Sequence, residues 1–332
     1  MSTVSLVRDV RVTGCDQIAA GVRRLRLEAR DGAALPAWEP GAHLDLLLPS
    51  GLVRQYSLCG PVGTTGEYEI AVLCEAAGRG GSVEVHGALA VGDELRIAGP
   101  RNRFPLVPSP RYVFVAGGIG ITPILPMIEE AERAGAAWRL VYGGRSRSTM
   151  AYLDRLDRYG ERVLLQPQDE FGLLDLEELL RPEPDTLVYC CGPEPLIAAV
   201  EQRCARDWPP QTLHTERFIA SDGVAVVDEG STSFEVQLGI EGPVLDVPAD
   251  KSILAVLLEA DVDVLYSCEE GTCGSCETQV LAGTPAHRDH LLSDESREQG
   301  CMLICVSRCL GDRLVLDVDV PDELAASKRD SA

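Results

Sequence analysis

Three cysteines fall within nine positions, Cys268, Cys273 and Cys276, in the stretch "SCEEGTCGSCETQ" from Ser267 to Gln279. Thiolates are soft metal ligands, and Cys-x4-Cys-x2-Cys is the spacing in which a tight loop wraps three sulfurs around a [2Fe-2S] cluster while a distant fourth closes the site. Gly271 and Gly274 suit such a loop, because its amides must turn toward the cluster sulfurs through backbone angles that a side chain resists. The fourth thiolate must come from "CMLICVSRC", which offers Cys301, Cys305 and Cys309. Cys305 is the expected ligand: it lies inside the apolar run and would be presented from a buried strand edge, whereas Cys301 and Cys309 flank the run and are expected to face away. Structural zinc is the competing reading, but zinc favours paired Cys-x2-Cys units, and the chain has one such pair.

Two further groups of residues have chemistry of their own. "RQYSLCG", Arg54 to Gly60, puts a guanidinium suited to phosphate, a phenol ring suited to a planar heterocycle and a hydroxyl suited to a ring nitrogen at one strand end. "GRGGS", ending in Gly80, Gly81 and Ser82, has the composition of a backbone nest for phosphate. Taken alone, the first is more often plain sheet, and the second reads also as a surface loop. "VFVAGGIGITP" is a buried strand, a glycine turn (Gly117, Gly118, Ile119, Gly120) and a helix start, with Thr122 the expected N-cap and Pro123 at the first helical position. Such an N-terminus attracts a pyrophosphate. It is an incomplete dinucleotide fingerprint, since Pro123 stands where the third glycine would fall.

These residues need elements to hold them, and the chain is long enough for two or three cores at 332 residues. Residues 1–105 read as short strands cut by Gly, Pro and Asp, which predicts an antiparallel β-barrel. Residues 106–222 alternate strand and helix, which predicts an α/β parallel-sheet domain. Residues 223–233 are small and polar like a linker, and residues 234–332 read as an α+β unit.

Net charge is -22, and residues 226–332 supply 7 Lys+Arg against 22 Asp+Glu, so 7 − 22 = -15 of it. That field repels nucleic acid and anionic membranes, and it suits a basic protein partner. The first ten residues show no export signal, and the uncharged run Val113 to Ile128 is shorter than a membrane span. Twelve cysteines in such a chain predict reduced thiols and a cytoplasmic location.

Residues 234–320 resemble a plant-type ferredoxin domain with a β-grasp fold, which implies Cys268, Cys273, Cys276 and Cys305 as iron ligands and the acidic rim as a docking surface. Arg54-x-Tyr56-Ser57 with Gly80-Gly81-Ser82 resembles the flavin barrel of the ferredoxin reductase superfamily, specifically its FMN-using phthalate dioxygenase reductase branch. The order barrel, nucleotide domain, ferredoxin matches along essentially the whole chain.

The resemblance implies FMN against Arg54, Gln55, Tyr56, Ser57, Val72, Leu73 and the Gly80–Ser82 nest. It places NADH across the glycine turn, with Arg145 and Ser146 at the adenosine ribose and Cys191-Gly192-Pro193 beside the nicotinamide. Glu216 and Phe218 then approach the flavin, and the positioning groups for hydride transfer are Ser57, Cys191 and Glu216. In one respect the chain departs from the family: the strand reading Val72-Leu73-Cys74-Glu75 lacks the basic residue that relatives often carry there, leaving Arg54 and Arg79 to meet the phosphate. Arg145 and Arg147 would also accept a 2′-phosphate, so NADPH stays open.

A nicotinamide gives two electrons together and a [2Fe-2S] centre takes one, and a flavin converts between them. The expected activity is therefore electron transfer from NAD(P)H through FMN and the cluster to a terminal oxygenase, a Rieske-type aromatic or amine oxygenase or demethylase. A cytochrome P450 is the alternative acceptor, and a non-catalytic iron-sulfur carrier or sensor is the alternative class.

Overall fold

The computed structural model describes residues 7–218, 232–269, 271, 274–289 and 291–320. Cys273, His290 and all of the expected linker except 232 and 233 lie outside the described residues. The chain divides into two compact units between Phe218 and Ile219.

The first unit opens with six antiparallel strands, β1 (Val7–Ala19), β2 (Val22–Ala29), β3 (Ala42–Leu47), β4 (Val53–Ser57), β5 (Tyr68–Leu73) and β6 (Glu94–Asn102). Alternation in "LRL" turns Leu25 and Leu27 into the barrel with Arg26 between them partly exposed, while Val22, on the opposite face, packs with the core of the parallel-sheet part. The sheet order is β4-β3-β6-β1-β2-β5. An antiparallel bridge from Leu58, just past β4, to Ile70 on β5 joins the two ends and curls the sheet into a barrel. Leu25, Leu44, Leu46, Ile70 and Ile97 fill its interior with no exposure. A short helix, α1 (Gly81–Ala88), follows β5.

The same unit continues into five parallel strands: β7 (Arg111–Gly117), β8 (Ala137–Gly144), β9 (Val163–Pro167), β10 (Thr186–Cys191) and β11 (Leu213–Glu216), in the order β11-β10-β7-β8-β9. Every residue of β7 after the first is buried, as a strand covered on both faces must be. Helices α2 (Ile121–Arg133), α3 (Leu153–Leu156), α4 (Gln168–Phe171), α5 (Leu176–Leu179) and α6 (Glu194–Asp207) make up the rest of this part, with short 3-10 turns. The chain reverses its direction of travel across the sheet between β7 and β10, and in open α/β sheets the crevice outside the strand ends at such a point takes the ligand.

Thr122 is not the cap of α2. The 3-10 turn Gly118–Gly120 runs directly into the helix, so the cap position falls on Gly120. Thr122 is buried inside the first turn, with its hydroxyl donating to the Ile119 carbonyl at 2.9 Å.

The second unit contains β12 (Phe234–Leu238), β13 (Val244–Val247), α7 (Ile253–Glu259), β14 (Glu277–Ala282), β15 (Pro285–Ala286), α8 (Asp294–Glu298), β16 (Cys301–Leu303), β17 (Arg308–Cys309) and β18 (Arg313–Leu316). Its mixed sheet runs β13-β12-β18-β14-β16, with β12 and β18 parallel and α7 buried on one side through Ile253, Leu254 and Leu257. This is a ferredoxin-like β-grasp arrangement. Ser252 caps α7 by accepting from the Ala255 amide at 3.0 Å. No helix among the described residues is long and apolar enough to cross a membrane.

Candidate functional site

In the ferredoxin-like unit, Cys268, Cys276 and Cys305 are 7%, 3% and 2% exposed. Their thiols meet. The Cys305 thiol is hydrogen-bonded to Cys268 and to Cys276, and those bonds, followed by burial, push its ionisation far above the ordinary thiol range. A shell of buried sulfurs from a loop and from a separate turn is the donor set that a [2Fe-2S] cluster requires, with the cluster's positive irons holding the thiolates deprotonated.

Gly271 and Gly274 take φ of 72° and 75°, in the left-handed region where a side chain is strained. Cys305 sits in the turn after β16 and not on a strand edge as expected. The amide of its neighbour Ile304 reaches the Cys276 carbonyl at 3.4 Å, which holds that turn against the loop. Cys301 instead pairs with Gln279 across β14 and β16, and Cys309 accepts the Gly311 amide at 3.2 Å.

On the barrel, Arg54 leaves β4 and donates to the Arg79 carbonyl at 2.7 Å. Its stem and Nε lie where a Cβ on Gly81 would fall, 2.5 and 2.7 Å away. The guanidinium therefore rests against the first residue of α1, whose cap Gly80 has φ 83° and no side-chain capping bond. Unfilled amides beside an arginine suit a phosphate, and this cradle fits that of FMN. Ser82 accepts the Glu75 amide at 3.0 Å and so ties the incoming loop to the helix.

Tyr56 is half-buried, and burial pushes its phenol up to about 12, keeping it neutral. Gln55 turns to the other face of β4, donating to Asp45 at 3.0 Å, and Ser57 ends the strand, buried, opposite His43. Val72 is core, and its carbonyl contacts His86 Nε2 at 2.8 Å, while Leu73 is only partly covered. We expect Arg54→Ala to weaken FMN retention about ten- to hundredfold, the loss of a charge-assisted bond or two; gel filtration followed by flavin fluorescence measures it.

At the crevice of the parallel sheet, the glycine turn and the Cys191 segment touch through backbone. A Cβ on Gly120 would meet the Cys191 carbonyl oxygen at 2.3 Å, and one on Gly117 would meet Pro193 and Leu196 at 2.7 Å. Gly118 has φ 55°, and Ile119 is partly covered beside it. Cys190 and Cys191 go to opposite sides of the sheet, Cys190 with Val113 and Val115, Cys191 with Phe114 and Tyr189. Arg145 and Ser146 follow β8; Arg145 is exposed, and the Ser146 amide is bonded to the Thr149 hydroxyl at 3.2 Å. Phe218 is 45% exposed and packs in no core cluster.

Glu216 pairs with Cys191 across β10 and β11. Its Oε2 is buried without a hydrogen-bond partner, and burial pushes its carboxyl up to about 8. It is thus a neutral proton-bearing group at the mouth of the crevice. The folded state keeps a proton that the unfolded chain releases near 4.5, so stability falls as pH rises from about 4.5 to about 8. We expect Glu216→Gln to remove that fall: melting temperatures of the two proteins converge at pH 4 and separate by pH 9, with the variant higher.

Sequence reading missed the polar seam that joins barrel and parallel sheet within this unit. The Tyr152 hydroxyl donates to Glu69 at 3.1 Å, and Arg155 binds the Cys59 carbonyl at 2.9 Å, Glu69 at 3.1 Å and Glu129 at 2.9 Å. Its members lie up to 96 positions apart, and no local pattern marks them.

A curled flavin-type barrel, a nucleotide crevice and a thiolate loop in one chain define an electron-transfer reductase. Residues 239–310 match the 2Fe-2S iron-sulfur cluster binding domain family. The chain is 41% identical over 315 residues to a putative toluene-4-sulfonate monooxygenase system reductase subunit of Comamonas testosteroni, covering 93% of this chain and 98% of that protein. It is 38% identical to a phthalate 4,5-dioxygenase oxygenase reductase subunit of Pseudomonas putida, over 93% of this chain and 96% of that one. Among solved structures, phthalate dioxygenase reductase superposes with a TM-score of 0.69 at 35% identity, over 94% of this chain and 98% of the other. An intact type IV self-sufficient cytochrome P450 monooxygenase superposes with a TM-score of 0.82 at 42% identity, over 94% of this chain and 41% of that one.

The chain belongs to the phthalate dioxygenase reductase family. It is an oxidoreductase whose cofactors are FMN, NADH and a [2Fe-2S] cluster.

Proposed function

We propose that this chain is the reductase component of a two-component oxygenase, drawing electrons from NADH and delivering them singly to a Rieske-type terminal oxygenase. The convergence of the Cys268, Cys276 and Cys305 thiols carries the reading, with Cys273 as the fourth iron ligand. When bound, the nicotinamide supplies a hydride, the flavin divides it into single electrons and the cluster passes them on. The protein contributes position and environment.

Arg54 and the α1 amides hold the flavin phosphate, with Tyr56 beside the ring and Ser57 at its polar edge. The turn Gly117–Gly120 and the segment Cys191-Gly192-Pro193 form the two walls against which the coenzyme lies. Arg145 and Ser146 meet its ribose. Cys191 and protonated Glu216 orient the nicotinamide; Cys191 is buried, and its thiol is pushed well up by burial and then by Glu216, so it is neutral and serves as a wall rather than a nucleophile. Gln55, Val72, Leu73, Gly80, Gly81, Ser82, Thr122 and Phe218 complete the surroundings of the two sites.

A second acceptor, a cytochrome P450, is favoured by the superposition on the self-sufficient P450 chain. The acidic excess of residues 226–332 supports docking to a cationic face of either acceptor. Twelve cysteines, three of them in a thiolate loop, suit a reducing compartment, the cytoplasm. Anaerobic titration with NADH, followed by optical and EPR spectra, tests the scheme: flavin bleaching and then a reduced-cluster signal support it. Protein that never retains flavin would favour the carrier or sensor reading.

A further inference from the structure

Dinucleotide sites of this topology commonly carry an acidic side chain after the second strand, where it accepts from the ribose 2′-hydroxyl and repels a 2′-phosphate. Here that position reads Arg145-Ser146-Arg147, which by itself invites NADPH. The next strand changes the outcome. The short helix α4, directly after β9, folds back on the segment after β8, with the Asp169 amide donating to the Arg145 carbonyl at 3.1 Å. This tie brings Glu170 to Arg147, its Oε1 3.6 Å from the guanidinium Nε. Both side chains are substantially exposed, at 43% and 51%, and both stand at the carboxyl-end edge of the sheet where the adenosine half of a coenzyme must lie.

Resting on the nucleotide-site reading above, we infer that Glu170 is the coenzyme-selecting residue of this reductase. It supplies from α4, just past β9, the acid that the end of β8 lacks, occupying the Arg147 charge and disfavouring a 2′-phosphate while leaving the 2′-hydroxyl of NADH acceptable. The Arg147 guanidinium is thereby drawn to a carboxylate instead of a 2′-phosphate. An exposed pair of this kind adds little to folding stability, so removing it changes recognition without unfolding the chain.

The test uses the full-length holoprotein and two ligands that differ only by the 2′-phosphate, 5′-AMP and 2′,5′-ADP, titrated calorimetrically at low ionic strength. Wild type is expected to bind 5′-AMP more tightly. In Glu170→Gln the preference should shift toward 2′,5′-ADP by about tenfold, near 1.4 kcal/mol. The shift should shrink in high salt, since exposed charges are screened, and should vanish in the double variant Glu170→Gln with Arg147→Ala.

A wild type that already prefers 2′,5′-ADP, or a Glu170→Gln protein with an unchanged ratio while both ligands bind, overturns the selector and leaves the nucleotide site standing. Absence of binding by either ligand to wild type overturns the nucleotide site and the selector with it.

Discussion

Cys305→Ser is expected to abolish the iron-sulfur cluster while NADH still bleaches the flavin. Its thiol is the one that reaches Cys268 and Cys276 from outside their loop, and a serine hydroxyl is a harder, far less acidic donor that does not replace a thiolate on iron. The cluster's visible absorption and the reduced-state EPR signal should disappear, and electron delivery to cytochrome c or an oxygenase should drop to background. Hydride acceptance belongs to the Ser5–Phe218 unit, a compact unit of its own, and should persist.

The same comparison assigns the two remaining cysteines. Cys301 faces Gln279, two pairs along the ladder from the Glu277–Leu303 pair that adjoins the loop, and Cys309 is on the separate β15–β17 ribbon. Cys301→Ser and Cys309→Ser should therefore keep full iron. Loss of the cluster in either, or its survival in Cys305→Ser, would refute the ligand set.

Gly120→Ala is the second large effect. Its backbone angle, φ -61°, is acceptable to any residue, so the harm comes from space. The added carbon would sit 2.3 Å from the Cys191 oxygen and 2.7 Å from the Gly192 nitrogen. Both are main-chain atoms, and a backbone wall cannot swing aside as a side-chain tip does. The glycine turn and the Cys191 segment must separate, and overpacking of this sort typically costs about 1–3 kcal/mol.

The separation opens the crevice that aligns the coenzyme, and a displacement of about 1 Å at such a site can cost about 100-fold. Stopped-flow reduction should show NADH efficiency lowered by that order, with flavin content and cluster spectra unchanged. An unaffected rate would mean that the coenzyme lies elsewhere; joint loss of flavin would mean that the whole unit had unfolded.

Much of this molecule was legible before any coordinates. The Cys-x4-Cys-x2-Cys spacing, the Arg-x-Tyr-Ser strand and the glycine turn are local patterns whose chemistry follows from residue type and separation. The two-residue period of a strand requires Cys190 and Cys191 to face opposite ways, and the structure sends them to opposite sides of the sheet. The boundary at α2 was less legible. Thr122 and Pro123 look like a cap and a first helical residue, but the glycine turn winds into a 3-10 turn and moves the cap to Gly120.

The sequence alone determined which chemistry the chain can hold, because ligand type, strand period and glycine placement are short-range properties. Tertiary structure decided that Cys305 meets the loop from a turn and not from a strand edge, that Glu216 is buried deeply enough to keep its proton, and that Glu170 reaches Arg147. Each of these depends on which distant segments the sheets bring together. Such proximity is set by packing of whole elements, which no spacing within one segment records.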